Sequence, residues 1–162
     1  MRTLAVAFFL ALFVLGVTGT ASAQSPVSLG LFPPAQIVPE NGSVSAFRLS
    51  LIYGNNVNMT GFDWGLVTKT TGNFSGVQFG CVGLVNGTST GWQGNMVSIT
   101  NGSFQGLQGP FAIYNSANFV NGVQIGLVNS AGSMKGIQLG LLNFIKQGGF
   151  MSFFPIVNWG GL

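Results

Sequence analysis

A Gly-apolar-Gln step returns about every fifteen residues along this chain, at Gly76-Val77-Gln78, Gly91-Trp92-Gln93, Gly106-Leu107-Gln108, Gly122-Val123-Gln124 and Gly136-Ile137-Gln138. Successive starts are separated by 15, 15, 16 and 14 residues. A unit this short cannot bury a core alone and has to bury it against its neighbours, which restricts the chain to a stacked repeat architecture.

Aligned after the marker glycine, the units begin at Phe47, Phe62, Val77, Trp92, Leu107, Val123 and Ile137, with a degenerate last copy over 152–158. Position one is large and apolar, and position two is Gln, or Asp63 and Arg48 in the early units. Position three is often apolar (Trp64, Phe79, Ile125, Leu139), position four is mostly small (Gly65, Gly80, Gly126, Gly140), and position five is apolar again (Leu66, Cys81, Leu127, Leu141). Alternation with a period of two is the signature of a β-strand with unlike faces. By the ordinary rule that apolar residues face inward, Leu66, Phe79, Cys81, Ile125, Leu127, Leu139 and Leu141 are the expected core. Gln78, Gln93, Gln108, Gln124 and Gln138 form the expected structural ladder on the opposite face. On this reading Leu127→Asp unfolds the stack locally.

Three residues before each start, or four for Phe119, stands a further large side chain, Met59, Phe74, Phe104, Phe119 or Met134, with Ser89 the exception. It is expected to point into the same core from a short return strand, the rest of the unit being polar turn. Two arrangements stack such units. In a β-solenoid each strand pairs in parallel with its copies above and below; in a small antiparallel β-barrel successive strands reverse. Units of a meander alternate between two kinds of turn, and no odd-even difference is visible here, which favours a single-domain all-β solenoid. About eight coils at ~4.8 Å spacing give a rod roughly 38 Å long. Its open ends require caps, and the proline-bearing segments 24–46 and 150–162 are the expected caps around a repeat body at 47–149. Met1-Arg2-Thr3, the apolar run 4–17 and Ala21-Ser22-Ala23 form a secretory leader pattern, so 1–23 is expected to be cleaved and the chain exported.

Composition removes most chemistry. The chain has no His, its only acids are Glu40 and Asp63, and the bases beyond the leader are Arg48, Lys69, Lys135 and Lys146. No carboxylate pair for acid-base catalysis lies within one unit. Asp63 reads as a ladder residue that pairs with Arg48 of the preceding coil, an exposed pair of ~0 to 1 kcal/mol. Cys81 is single and reads as packing. No clustered His, Cys or carboxylates suggest a metal, Gly76-Val77-Gln78-Phe79-Gly80 lacks the rest of a phosphate loop, and four scattered bases make no nucleic-acid patch. No enzyme activity and no cofactor are therefore expected. The triplets at Asn41, Asn58, Asn73, Asn86 and Asn101 have the form of glycosylation acceptors, but turn chemistry alone produces them in such a repeat.

The segments Gly122-Val-Gln-Ile-Gly-Leu-Val-Asn129 and Gly136-Ile-Gln-Leu-Gly-Leu-Leu-Asn143, with looser copies at 61–68 and 76–83, resemble a bacterial family of exported surface-repeat proteins built from tandem Gly-x-Gln-x-Gly-Leu-x-Asn units. The middle departs from that pattern: Asn95 and Pro110 replace the second glycine, and Ser98 and Ile113 replace the closing Asn. The resemblance implies a cell-surface, periplasmic or outer-membrane setting and no chemistry.

The expectation is a non-enzymatic exported envelope protein acting as a repetitive β scaffold or contact surface. An outer-membrane β-barrel and a glycan- or ice-binding solenoid are the alternatives. The sequence names no partner. It leaves membrane association and end-to-end self-association open.

Overall fold

The computed structural model describes residues 24–161, so the expected leader, 1–23, lies outside the described residues. The described residues are all-β, with no helix among them. Its strands are β1 (Gln24–Phe32), β2 (Ala35–Gln36), β3 (Ser43–Asn56), β4 (Met59–Thr70), β5 (Phe74–Val85), β6 (Ser89–Gln147) and β7 (Phe153–Gly160).

Successive units pair in parallel and in the register of the repeat. Arg48 stands beside Asp63, Asp63 beside Gln78, and Gln78 beside Gln93. Segment 24–46 is not simply a lid over the first coil, because β1 itself pairs in parallel with β3 and supplies a turn of the stack. The four parallel registers join five turns, beginning at Gln24, Ser43, Met59, Phe74 and Ser89, in a solenoid-like arrangement. The long β6 carries the winding onward. Among the described residues, antiparallel pairing occurs where β2 folds back on β1, where β7 lies along the Gly136–Phe144 part of β6, and at an isolated bridge between Gly149 and Gly160. Turn-to-turn contacts of the antiparallel barrel alternative are therefore not those of this fold.

The marker glycines exist because adjacent coils approach closely there. Gly76, Gly91, Gly106, Gly122 and Gly136 all have positive φ, between 119° and 145°. A Cβ on any of them would overlap the carbonyl oxygen of the marker glycine one coil earlier. Backbone conformation and the space between coils thus demand the same residue at each return.

The sidedness of the strand is the reverse of the expected one. Leu66, Leu127, Leu139 and Leu141 are exposed by 47, 50, 38 and 64 %, and Phe79, Cys81 and Ile125 are half-buried on the outside. The Gln column is instead fully buried. A coil of fifteen residues encloses a narrow lumen, and its inward positions are taken by Gln, Asn, Thr and Gly together with two apolar clusters. One cluster comprises Val38, Val44, Met59, Phe74 and Val85. The other comprises Phe104, Ala117, Val120, Ala131, Met134 and Ile145. Met59, Phe74, Phe104 and Met134 do point inward from the return segment, but Phe119 is 39 % exposed. The unit before it is one residue longer, so Val120 takes the inward place.

Ser89 separates the two clusters and its buried hydroxyl has no hydrogen-bond partner. Ser89→Val is expected to join the clusters and raise stability by about 0.5–2 kcal/mol, read from the urea midpoint. Gly91→Ala is expected to lower it by about 1–3 kcal/mol from backbone strain alone, in the same measurement; an unchanged midpoint would contradict the close approach of the coils.

Candidate functional site

Two kinds of surface are built by the repeat, one facing the lumen and one facing out. The inner one is a hydrogen-bonded column. Gln78 Nε2 donates to Asp63 Oδ2 at 2.8 Å, Gln93 to Gln78 at 3.1 Å, Gln108 to Gln93 at 2.8 Å, and Gln124 to Gln108 and Gln138 to Gln124 at 2.7 Å each. Every amide donates toward the N-terminal end. The column begins at Asp63, an acceptor-only group that fixes this direction.

Arg48 closes that end. Its Nε and Nη2 donate to the two carboxylate oxygens of Asp63, both at 2.7 Å, and its remaining hydrogens go to Asn56 Oδ1, the Lys69 carbonyl and Thr70 Oγ1. All five guanidinium donors are used. The pair expected at the surface is in fact buried, with side-chain exposures of 1 and 0 %. A buried charge is tolerated there because its partner and its hydrogen bonds are complete.

A second column was not anticipated. Asn115 Nδ2 donates to Asn129 Oδ1 at 2.9 Å and Asn129 to Asn143 at 2.8 Å, running opposite to the Gln column. The same Nδ2 atoms also donate to the Ile125 and Leu139 carbonyls, which can only accept and so fix the direction. The closing Asn of the repeat is thus a lumen residue. Ile113, matched to it by counting, is exposed, and Asn115 takes the column two residues later. The signal for this column was present in Asn129 and Asn143, each 14 residues from its neighbour.

The outer surface is apolar. Phe47, Phe62 and Trp92 at position one and Phe79 at position three make one run of touching rings: Phe47 and Phe62 stack at 5.6 Å, Phe62 and Phe79 meet at 6.2 Å, and Phe79 and Trp92 lie edge to face at 4.8 Å. The position-five row continues through Leu51, Leu66, Met96, Phe111, Leu127 and Leu141, all exposed. Near the N-terminal end, burial pushes the Tyr53 phenol above its ordinary value, aided by the charge of Glu40 and opposed by Arg48. Among the described residues no three His, Cys, Asp or Glu side chains gather as a metal site.

No protein-family model matches the chain. No curated protein and no solved structure matches it either.

Removing one partner of the buried pair strands the other. Arg48→Met is expected to cost about 3–5 kcal/mol, whereas the double change Arg48→Met with Asp63→Gln restores a neutral column and is expected to recover more than half of that loss. Thermal and urea unfolding of the two variants checks this; equal losses in both would show that the ion pair is incidental.

Proposed function

We propose that this chain is a non-enzymatic exported envelope or surface protein, a rigid repetitive scaffold whose outward apolar rows are its contact surface. The observation that carries the reading is the inverted sidedness: hydrogen-bonded amides line the lumen, while Phe111 and Leu141 stand 73 and 64 % exposed. Soluble monomers rarely present contiguous apolar surface of this extent, and where it occurs it marks a surface that meets something.

Ser28 stands beside Arg48 in the parallel register. Ser28, Arg48, Asp63, Gln78, Gln93, Gln108, Gln124 and Gln138 then occupy one column, on which basis we assign eight coils to the stack. The leader-like pattern before Gln24 supports export, and the Gly-x-Gln-x-Gly-Leu-x-Asn resemblance supports a bacterial envelope setting. Both ends are blunted by antiparallel strands, which argues against open-ended growth into filaments. A glycan-binding reading finds a run of aromatic rings in Phe47, Phe62, Phe79 and Trp92, but its neighbouring rows are Leu, Val and Ile and offer few groups to a sugar hydroxyl.

The test is the protein expressed with its own N-terminus in an exporting host. The product is expected to begin at Gln24 by N-terminal sequencing. Leu127→Asp is expected to leave its β circular dichroism intact and change stability by no more than about 1 kcal/mol, while lowering the binding of a hydrophobic-surface dye. Unfolding by Leu127→Asp would return that residue to a core and overturn the contact-surface reading.

A further inference from the structure

Resting on the reading of the outer rows as a contact surface, we infer that what they meet is lipid hydrocarbon: the solenoid lies lengthwise in a membrane interface, with its position-three-to-five rim immersed and its turn edge in water. Position four turns its side chain inward, as the buried Ser50 and Asn95 show, so the backbone alone floors a furrow along the rim between the outward residues at positions three and five. It is seen at both ends of the stack at equivalent places, as a groove of about 240 Å³ around Leu29, Gly30 and Leu31, and one of about 480 Å³ around Ile125, Gly126 and Leu127. Both are lined overwhelmingly by aliphatic groups, the surface an acyl chain fits and a hydrogen-bonding ligand does not.

The opposite edge has the opposite character. Half a coil from position four lie the turns, where Asn73, Thr88, Asn101 and Ser103 are exposed. Charge is absent from the middle of the stack. Between Lys69 and Lys135 the sequence contains no Asp, Glu, Lys or Arg, so the central coils have no charge to desolvate. Arg48 and Asp63 neutralise each other inside. The strand backbone of each inner coil is paired with the coils above and below, which is the condition for placing β structure in hydrocarbon. Amphipathic elements with an apolar face and a wet polar face settle at this depth of a bilayer.

A second copy of the chain is the weaker occupant. Apolar rows flank the rim on two sides, the Phe62 side and the Leu66 side, and a rigid partner covers one of them. A fluid medium covers both. The rows also lack the interspersed hydrogen-bonding groups that fix register in a protein interface.

The test is flotation of the exported, processed protein with neutral phosphatidylcholine vesicles, alongside tryptophan emission and sedimentation velocity. The wild type is expected to float, with a blue shift in the summed emission of Trp64, Trp92 and Trp159. The double change Leu127→Asp with Leu141→Asp is expected to lower partitioning at least tenfold, while Thr88→Asp with Ser103→Asp on the turn edge leaves it within twofold; circular dichroism confirms that each variant is folded. A folded wild type that stays with the aqueous fraction and forms rim-dependent dimers would overturn the lipid assignment and keep the contact surface. A wild type that neither floats nor associates, with dye binding unaffected by the rim substitutions, would overturn both.

Discussion

The hydrogen bond from each Gln to the Gln of the preceding coil is the interaction on which the rest of the structure depends. A closed turn of about fifteen residues leaves a lumen too narrow for two opposed rows of large apolar side chains. Amides fill it because their donor and acceptor can both be met along the stack, so a polar group needs no water once its neighbours are in place. Each net hydrogen bond stabilises by only about 1 kcal/mol, but an amide left without partners costs about 1–3 kcal/mol. The column therefore penalises any slip of register. The parallel pairing, the marker glycines and the regular spacing all serve that one alignment. The opposed direction of the Asn column sets its amide dipoles against those of the Gln column inside the same lumen.

The period, the strand, the parallel stacking and the Gln column could be read from the sequence because each is a matter of spacing. Which side of the strand faces inward could not be read that way. Period-two alternation is symmetric, and one residue of slip exchanges the two faces, so the assignment rested on the habit that leucine is buried. Leu127 and Leu141 break that habit. A sharper clue stood in the Gln column itself, where the two exceptions, Arg48 and Asp63, carry opposite charges in adjacent units. An exposed column has little need of such matching; a dry one has. Counting also failed where unit length changes: one added residue turned Phe119 outward, and Asn115 replaced Ile113 in its column.

Inversion of the ordinary division between inside and outside gives the two surfaces separate tasks. Shape is held by the lumen, so the outer rows are free of structural duty and tolerate wide chemical variation. Their side chains range from Trp92 through Cys81 to Leu141 at related positions, while the inner column stays Gln through five successive units. Variation outside and monotony within is the pattern expected when one surface is fixed by the neighbouring coil and the other by its surroundings.

The directed column also decides how the length of this protein can change. Every Gln from Gln78 to Gln124 receives from one side and gives to the other, so a whole unit duplicated or lost within that stretch leaves the Gln column continuous. The start is different. A repeated Asp63 would set acceptor against acceptor, and a repeated Arg48 would bring a second guanidinium with no carboxylate to meet it. Recombination between repeats can therefore lengthen or shorten the rod from its middle, while its charged beginning is inherited once.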